Sequence, residues 1–469
     1  MILLHCSVFN RKVIRAVLVG AGLIAIFVLA SEVADRWVAG VTCLVLVLSV
    51  RLASRSCYLF SFQHVSMTSF WYLTYLAMIF FPAFVVYFFQ EGLYRGRYLF
   101  AVESVLLTVP LGWSFATWLW NFDRTEIGHF YRSDIASENF GNGLMLRCWL
   151  MLLVCLGMVV SYLFEVHTIP LFYLIKHPGE AVEVAFLREE SFKTLDSHLT
   201  YFYILVRGVL FPLLITVALG AYLETRRKLW LFTLLVSITS GLFFAALSVA
   251  KAPVALIFLV LGIFYYVFKR GRLSRKVVAV LLILIFLFPI VVVAFLAGSD
   301  SATAPLVLAA IAYRLFYIPA EGVYYYFEIF PRHIPYLHGR ATDKLAKLFG
   351  VPSVDAPNVV GTYAYPTGLE TVSANAAFIS DLNADFGMWG VILGGIATGM
   401  IMQSAQIYLL RRRKTVVTVA MFSFLIVVFW YLNSASLPVV LLSDGGALAL
   451  IVGWYLDPPN AGRLVVSKA

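Results

Sequence analysis

Apolar residues fall in blocks of roughly 17–25 positions, each closed off by a short polar or charged segment. A helix rises about 1.5 Å per residue, so one block is long enough to cross about 30 Å of hydrocarbon. A membrane barrel would instead show ten-residue stretches of alternating polarity, and that pattern is absent. The blocks predict twelve spans, near 13–30, 37–52, 66–89, 98–118, 146–164, 201–222, 229–248, 252–268, 277–296, 386–408, 415–432 and 437–456. Val28-Leu-Ala30 has the composition of a signal-peptidase site. A second apolar block starts soon afterwards, however, so the first block reads as an uncleaved helix. The fold class is all-α, a polytopic membrane protein.

The spans divide the chain into 1–296, nine helices with a loop near 165–200; 297–385, one large loop; and 386–469, three helices and a tail. Loops that long usually carry function. Inside the large one, 306–330 reads as a single helix. On its wheel Arg314, Tyr317, Glu321, Tyr324, Tyr325 and Glu328 share an arc of about 100°, with Val323, Phe327 and Phe330 opposite. Such a helix either lies at the membrane interface, with Arg314 snorkelling, or packs on the bundle and turns its polar face to a cavity. Four ionisable residues, Glu103, Arg207, Lys251 and Asp444, fall within or at the edge of spans, near their outward ends. Charges in lipid are costly, and their common depth points to a shared outward-facing cavity.

Charge orients the bundle. More than half of the 35 Lys and Arg residues collect on one side, in turns such as Arg226-Arg-Lys228 and Arg411-Arg-Arg-Lys414. The positive-inside rule makes that side cytoplasmic, with both termini on it, and leaves the two long loops outside. Composition agrees: 62% of residues are hydrophobic and 13% charged, far from a soluble domain. The net charge of +10 is then a matter of topology and calls for no nucleic-acid partner. Cys6, Cys43, Cys57, Cys148 and Cys155 all avoid the outward loops and read as small buried hydrophobes.

Several chemistries lack their motifs. No G-x-x-x-x-G-K-[ST] loop is present to hold ATP, and no H-E-x-x-H or Cys/His cluster to hold a metal, so no cofactor is expected. Asp381 and Asp385 stand four apart, not in the D-x-D arrangement that holds a nucleotide sugar's divalent ion. One turn apart, they serve either as a base with its partner or as a hydrated cap to the tenth span. His167, His177, His198, His333 and His338 lie outward, and each is more readily a solvated residue than a catalytic one.

One stretch is distinctive: Thr362-Tyr-Ala-Tyr-Pro-Thr-Gly368, then Ser373-Ala-Asn375, and on through Asp381 and Asp385 to Gly387-Met-Trp-Gly390. It resembles the end of the large periplasmic loop of Wzy-type O-antigen polymerases. The helix around Arg314 is similar to the segment that opens that loop, and Lys251-Ala-Pro to the start of the family's middle helix. The family's R-x10-G spacing is missing, since the residues eleven after Arg188 and Arg314 are Leu199 and Tyr325.

The resemblance implies a GT-C-type glycosyltransferase of the bacterial inner membrane. It would join undecaprenyl-pyrophosphate-linked repeat units at the periplasmic face, with membrane lipid and a chain-length regulator as partners. A pyrophosphate leaving group needs fixed cations, for which Arg188, Arg207, Lys251 and Arg314 are candidates. Glu321, Asp381, Asp385 and His338 are candidates to take the acceptor's proton. Tyr317 and Tyr324 offer faces for sugars, and the helix near Asn375 points its dipole at an anion. An O-antigen ligase shares the donor, but its H-x10-G signature fails at His338, followed eleven later by Phe349. A lipid-linked oligosaccharide transporter would be expected to show repeated halves, and no repeat is visible.

Overall fold

The computed structural model describes residues 36–458 except 60, 62–63, 91, 137–141, 194–196, 273–275, 277–278, 282, 285–289, 293–308, 349, 366–372 and 375. Among the described residues every regular element is a helix. Eight of them are long and apolar enough to cross a membrane: Met67–Phe89, Arg95–Leu119, Asn142–Glu165, Leu199–Thr225, Lys228–Ala246, Ile379–Arg411, Val416–Asn433 and Val439–Leu456. The chain is a multi-pass membrane protein. The expected span at 37–52 lies within the helix Arg36–Ser56, and that at 252–268 is the shorter apolar helix Ala252–Phe268. The expected span 13–30 and most of 277–296 lie outside the described residues.

Among the described residues four helical segments contain a widened turn, one of them at Val439–Ser443, and in the other three its cause is visible in the sequence. π turns occupy Leu76–Phe80, Val206–Leu210 and Tyr313–Tyr317. Pro82, Pro212 and Pro319 follow, each two positions beyond its turn. A proline ring collides with the carbonyl four residues back in a regular helix. In all three cases that carbonyl belongs to the middle of the π turn, where the extra residue gives it room.

Two compact units are assembled from non-contiguous stretches. The first comprises Met1–Gly128, Tyr313–Ile407 and Trp430–Pro438. The second comprises His129–Ala312, Tyr408–Phe429 and Val439–Ala469.

In the first unit the helix Arg36–Ser56 runs along Arg95–Leu119, and Thr42 donates a hydrogen bond to the buried carboxylate of Glu103. Glycines bring a further helix close. A Cβ on Gly399 would overlap the Val109 carbonyl, and one on Gly112 the Ile396 carbonyl. Gly395, against Thr108, and Gly399 therefore serve packing within the chain. Gly387 interrupts Ile379–Arg411 with φ 63° and ψ −151°, a conformation essentially reserved for glycine. The chain doubles back there, so that Leu382 lies against Gly390 and Gly394.

In the second unit Val416–Asn433, which belongs to it as far as Phe429, is the most enclosed helix, 89% buried over its apolar window. Leu199–Thr225, 72% buried, is packed by Lys228–Ala246, Lys251–Phe268 and Asn142–Glu165. Lys414 ties the turn before Val416 to a neighbouring loop. Its ammonium donates to the carbonyls of Tyr131 at 3.2 Å and Ser133 at 3.0 Å, and lies over the Phe130 ring. Burial, helped by the nearby Arg270, lowers its pKa to about 8 against the opposing pull of Asp134.

Candidate functional site

Helix Ile318–Ile329 is the centre of the candidate site. The expected single helix over 306–330 is broken by the π turn, which rotates Arg314 out of the polar arc by about one residue's 100°. The helix is also enclosed on nearly every side: Pro319 to Tyr324 and Tyr326 to Ile329 are all buried. It packs on the bundle of the first unit against Met67–Phe89 and Arg95–Leu119. Tyr98 secures it by donating to the Ala320 carbonyl at 2.9 Å.

Its polar positions fall into two groups. Tyr324 and Glu328 face the segment of this chain that holds Gly92 and Tyr98. Tyr324 is 4% exposed and meets Tyr98 edge to face at 5.7 Å. A Cβ on Gly92 would lie 2.9 Å from Glu328 Oε2. Glu328 also accepts from Arg332 at 2.5 Å. Burial beside Glu328 pushes the Tyr324 phenol up to about 12.

Glu321 and Tyr325 form the second group and lie in a basin of aromatic side chains, with Glu321 itself buried. Tyr365 donates to Glu321 Oε2 at 2.9 Å, and the Gln90 amide reaches Oε1 at 3.5 Å. Tyr325 meets Tyr365 at 6.0 Å and Tyr363 at 6.5 Å, and His333 meets Tyr363 at 5.5 Å. Tyr313 stacks on Tyr317 at 4.9 Å. Tyr313 and Tyr363 are exposed, while Tyr317, Tyr325 and Tyr365 are half-buried. Ring faces and phenol tips are thus presented around one enclosed carboxylate. Burial raises the Glu321 pKa, and the Tyr365 hydrogen bond partly offsets it. Burial and the charge of Glu321 in turn raise those of Tyr317 and Tyr365.

The other acidic candidates are set in a different arrangement. Asp385 accepts from the backbone N–H groups of Gly339 and Ala341, each at 2.9 Å. The adjoining backbone repeats the tie, with Leu337 N–H on the Ala384 carbonyl and His338 N–H on that of Asp385. Asp385 is therefore the anchor of loop 337–341. His338 sits in that loop, exposed, with φ 53°. Asp381 lies one turn back, against the hydroxyls of Ser436 and Tyr326. Beside this loop, Arg97 donates to the Tyr336 hydroxyl at 2.5 Å.

Of the basic candidates, Arg314 is exposed on its π turn in the first unit, and Arg188 is exposed on Ala181–Lys193 in the second. Arg207, also in the second unit, donates to Ser248 at 2.8 Å and to the Tyr203 hydroxyl at 3.2 Å, with its guanidinium over the Tyr203 ring. Lys251 opens the helix Lys251–Phe268 three residues beyond Ser248, so Arg207 lies near a helix N-terminus, a place suited to an anion. Glu103 belongs to the first unit, while Arg207, Lys251 and Asp444 belong to the second. Asn375 lies outside the described residues.

Gln90, Tyr363 and Tyr365 were not singled out from sequence. The two tyrosines lie inside the Thr362–Gly368 run, which is the one signal that marks them. Among the described residues no group of three or more His, Cys, Asp or Glu is placed to hold a metal. No protein-family model, no curated protein and no solved structure matches the chain.

Proposed function

We propose that the chain is a glycosyltransferase of the repeat-unit polymerase kind, a GT-C-like protein of twelve spans in the bacterial inner membrane with both termini in the cytoplasm. It lengthens a surface polysaccharide at the periplasmic face. Donor and acceptor are both glycans carried on undecaprenyl pyrophosphate. What supports this most is the tyrosine basin around Glu321. Flat rings with hydrogen-bonding tips suit sugar faces, and a carboxylate with a raised pKa among them suits proton transfer.

In this reaction an acceptor hydroxyl attacks the anomeric carbon of the donor glycan. The carbon–oxygen bond to the lipid pyrophosphate breaks as the new glycosidic bond forms. Glu321 takes the hydroxyl proton, and the departing pyrophosphate carries away the bonding electrons. Cations stabilise it, and Arg314, in the same unit as Glu321, is the group available. Arg314 stands seven residues before Glu321, about 10 Å along the chain axis. The glycosyl–phosphate bond supplies the driving force, so no ATP is needed.

Purified protein should therefore elongate lipid-pyrophosphate-linked repeat units with chelator present and no nucleotide sugar. Glu321→Gln should cut the rate by about 10²–10⁴, the usual worth of a positioned base. A strict requirement for a nucleotide sugar or a divalent ion would overturn the reading. Transfer only to a lipid A core acceptor would make the protein a ligase.

A further inference from the structure

Two basic turns adjoin helices of the second unit, and the fold uses them differently. In Arg411-Arg-Arg-Lys414 charge is turned into the protein. Arg412 donates to the Asp457 carbonyl at 2.6 Å, and Lys414 to the carbonyls of Tyr131 and Ser133. In Arg226-Arg-Lys228 all three side chains are exposed. Arg226 lies over the Tyr222 ring at 5.6 Å, and among the described residues no carboxylate pairs with any of the three. Nor does the turn itself call for arginine. Arg226 caps Leu199–Thr225 with φ 54°, a conformation that glycine adopts more readily.

An apolar strip begins directly beyond these charges. On Lys228–Ala246, Lys228, Leu229, Phe232 and Leu235 share one exposed face, opposite the buried Trp230, Thr233 and Ser237. Leu235 stands about 10 Å from Lys228 along the helix. Phe232 stacks on Trp149 at 6.0 Å, and Leu146 and Leu153, one turn to either side of Trp149, are exposed too.

Lys269 adds charge at the same end. A Cβ on Gly220 would meet both Phe264 and Val416, so Leu199–Thr225 and Lys251–Phe268 converge just before their last turns. Lys269 is exposed there, over the Tyr265 ring at 5.8 Å.

We propose that this end of the second unit binds an anionic glycerophospholipid. Its phosphate sits against Arg226, Arg227 and Lys228, and an acyl chain lies along Leu229, Phe232 and Leu235. Three cations followed at once by an apolar strip suit a ligand that is charged at one end and apolar at the other. A soluble anion would use only the cations, and an acidic protein could not follow the strip into the bilayer. The site does not depend on the polymerase reading.

The test is thermal unfolding of the full-length protein in a neutral detergent, titrated with phosphatidylglycerol or with phosphatidylcholine. The midpoint should rise and saturate with phosphatidylglycerol at concentrations where phosphatidylcholine does little, because a ligand that binds only the folded state stabilises it by mass action. Arg226→Gln, Arg227→Gln and Lys228→Gln combined should raise the half-saturating concentration by at least about tenfold. Arg51→Gln with Arg55→Gln, which removes exposed charge from Arg36–Ser56 in the first unit, should leave it unchanged. Superimposable curves for the two lipids in the unaltered protein would overturn the site whatever the variants do. A comparable weakening by the first-unit pair would overturn it in favour of a diffuse surface field. The full shift with inorganic phosphate alone would overturn it in favour of a soluble anion. Should the triple variant fail to fold, an unchanged response in Arg227→Glu would be equally decisive against it.

Discussion

Glu321 and Asp385 are carboxylates of one chain set to different tasks by the groups that donate to them. Asp385 receives two backbone N–H groups and holds a loop, whereas Glu321 receives only side-chain groups, the Tyr365 phenol and the Gln90 amide, and lies buried among tyrosines. Tyr365→Phe therefore has a directional consequence. Burial raises the Glu321 pKa and the Tyr365 hydrogen bond lowers it, so removing that bond leaves the carboxyl harder to ionise. A base works only when deprotonated, so activity falls as pH drops through its pKa. The acid limb of the pH–rate profile should move to higher pH in Tyr365→Phe while the alkaline limb stays in place. An unmoved acid limb would show that Glu321 is not the titrating base. Glu321 was legible in the sequence because a carboxylate among tyrosines stands out in an apolar stretch. Gln90 was not, because one amide at the end of a span carries no pattern.

Element positions were legible wherever apolar runs were bounded by charge, while internal irregularities were not. The wheel for 306–330 assumed one uninterrupted helix, and the π turn before Pro319 defeats that assumption. The proline was visible in the sequence, but a proline can also kink or end a helix, so the widened turn did not follow from it. Glycines show the same limit. Gly157 and Gly399 both lie in long apolar helices, yet among the described residues a Cβ on Gly157 meets nothing within 4 Å while one on Gly399 overlaps a backbone oxygen. Gly157→Ala should then raise the thermal midpoint slightly, by the helix-propensity gain of up to about 1 kcal/mol. Gly399→Ala should lower it clearly, because the carbonyl it meets cannot rotate away. Equal midpoints for the two variants would mean that the crossing at Gly112 and Gly399 is looser than the structure has it.

At the scale of the molecule, an all-helical multi-pass protein was legible from block length alone. The assembly of its two units from non-contiguous stretches was not, since it depends on contacts between residues far apart in the chain. Orientation still rests on charge, and it is open to a direct check. A reporter fused after Arg413 should read cytoplasmic and one fused near Asp355 periplasmic; both on one side would refute the topology. The reversal at Gly387 bears on the membrane itself. The stretch 388–411 is about 36 Å long, enough to cross a bilayer with some tilt, while 379–386 adds about 12 Å that folds back beside it. Asp381 and Asp385 ride on that returning arm, so one glycine fixes where both carboxylates stand beside the crossing helix. Any side chain at 387 would have to open the hairpin and carry the two of them away together.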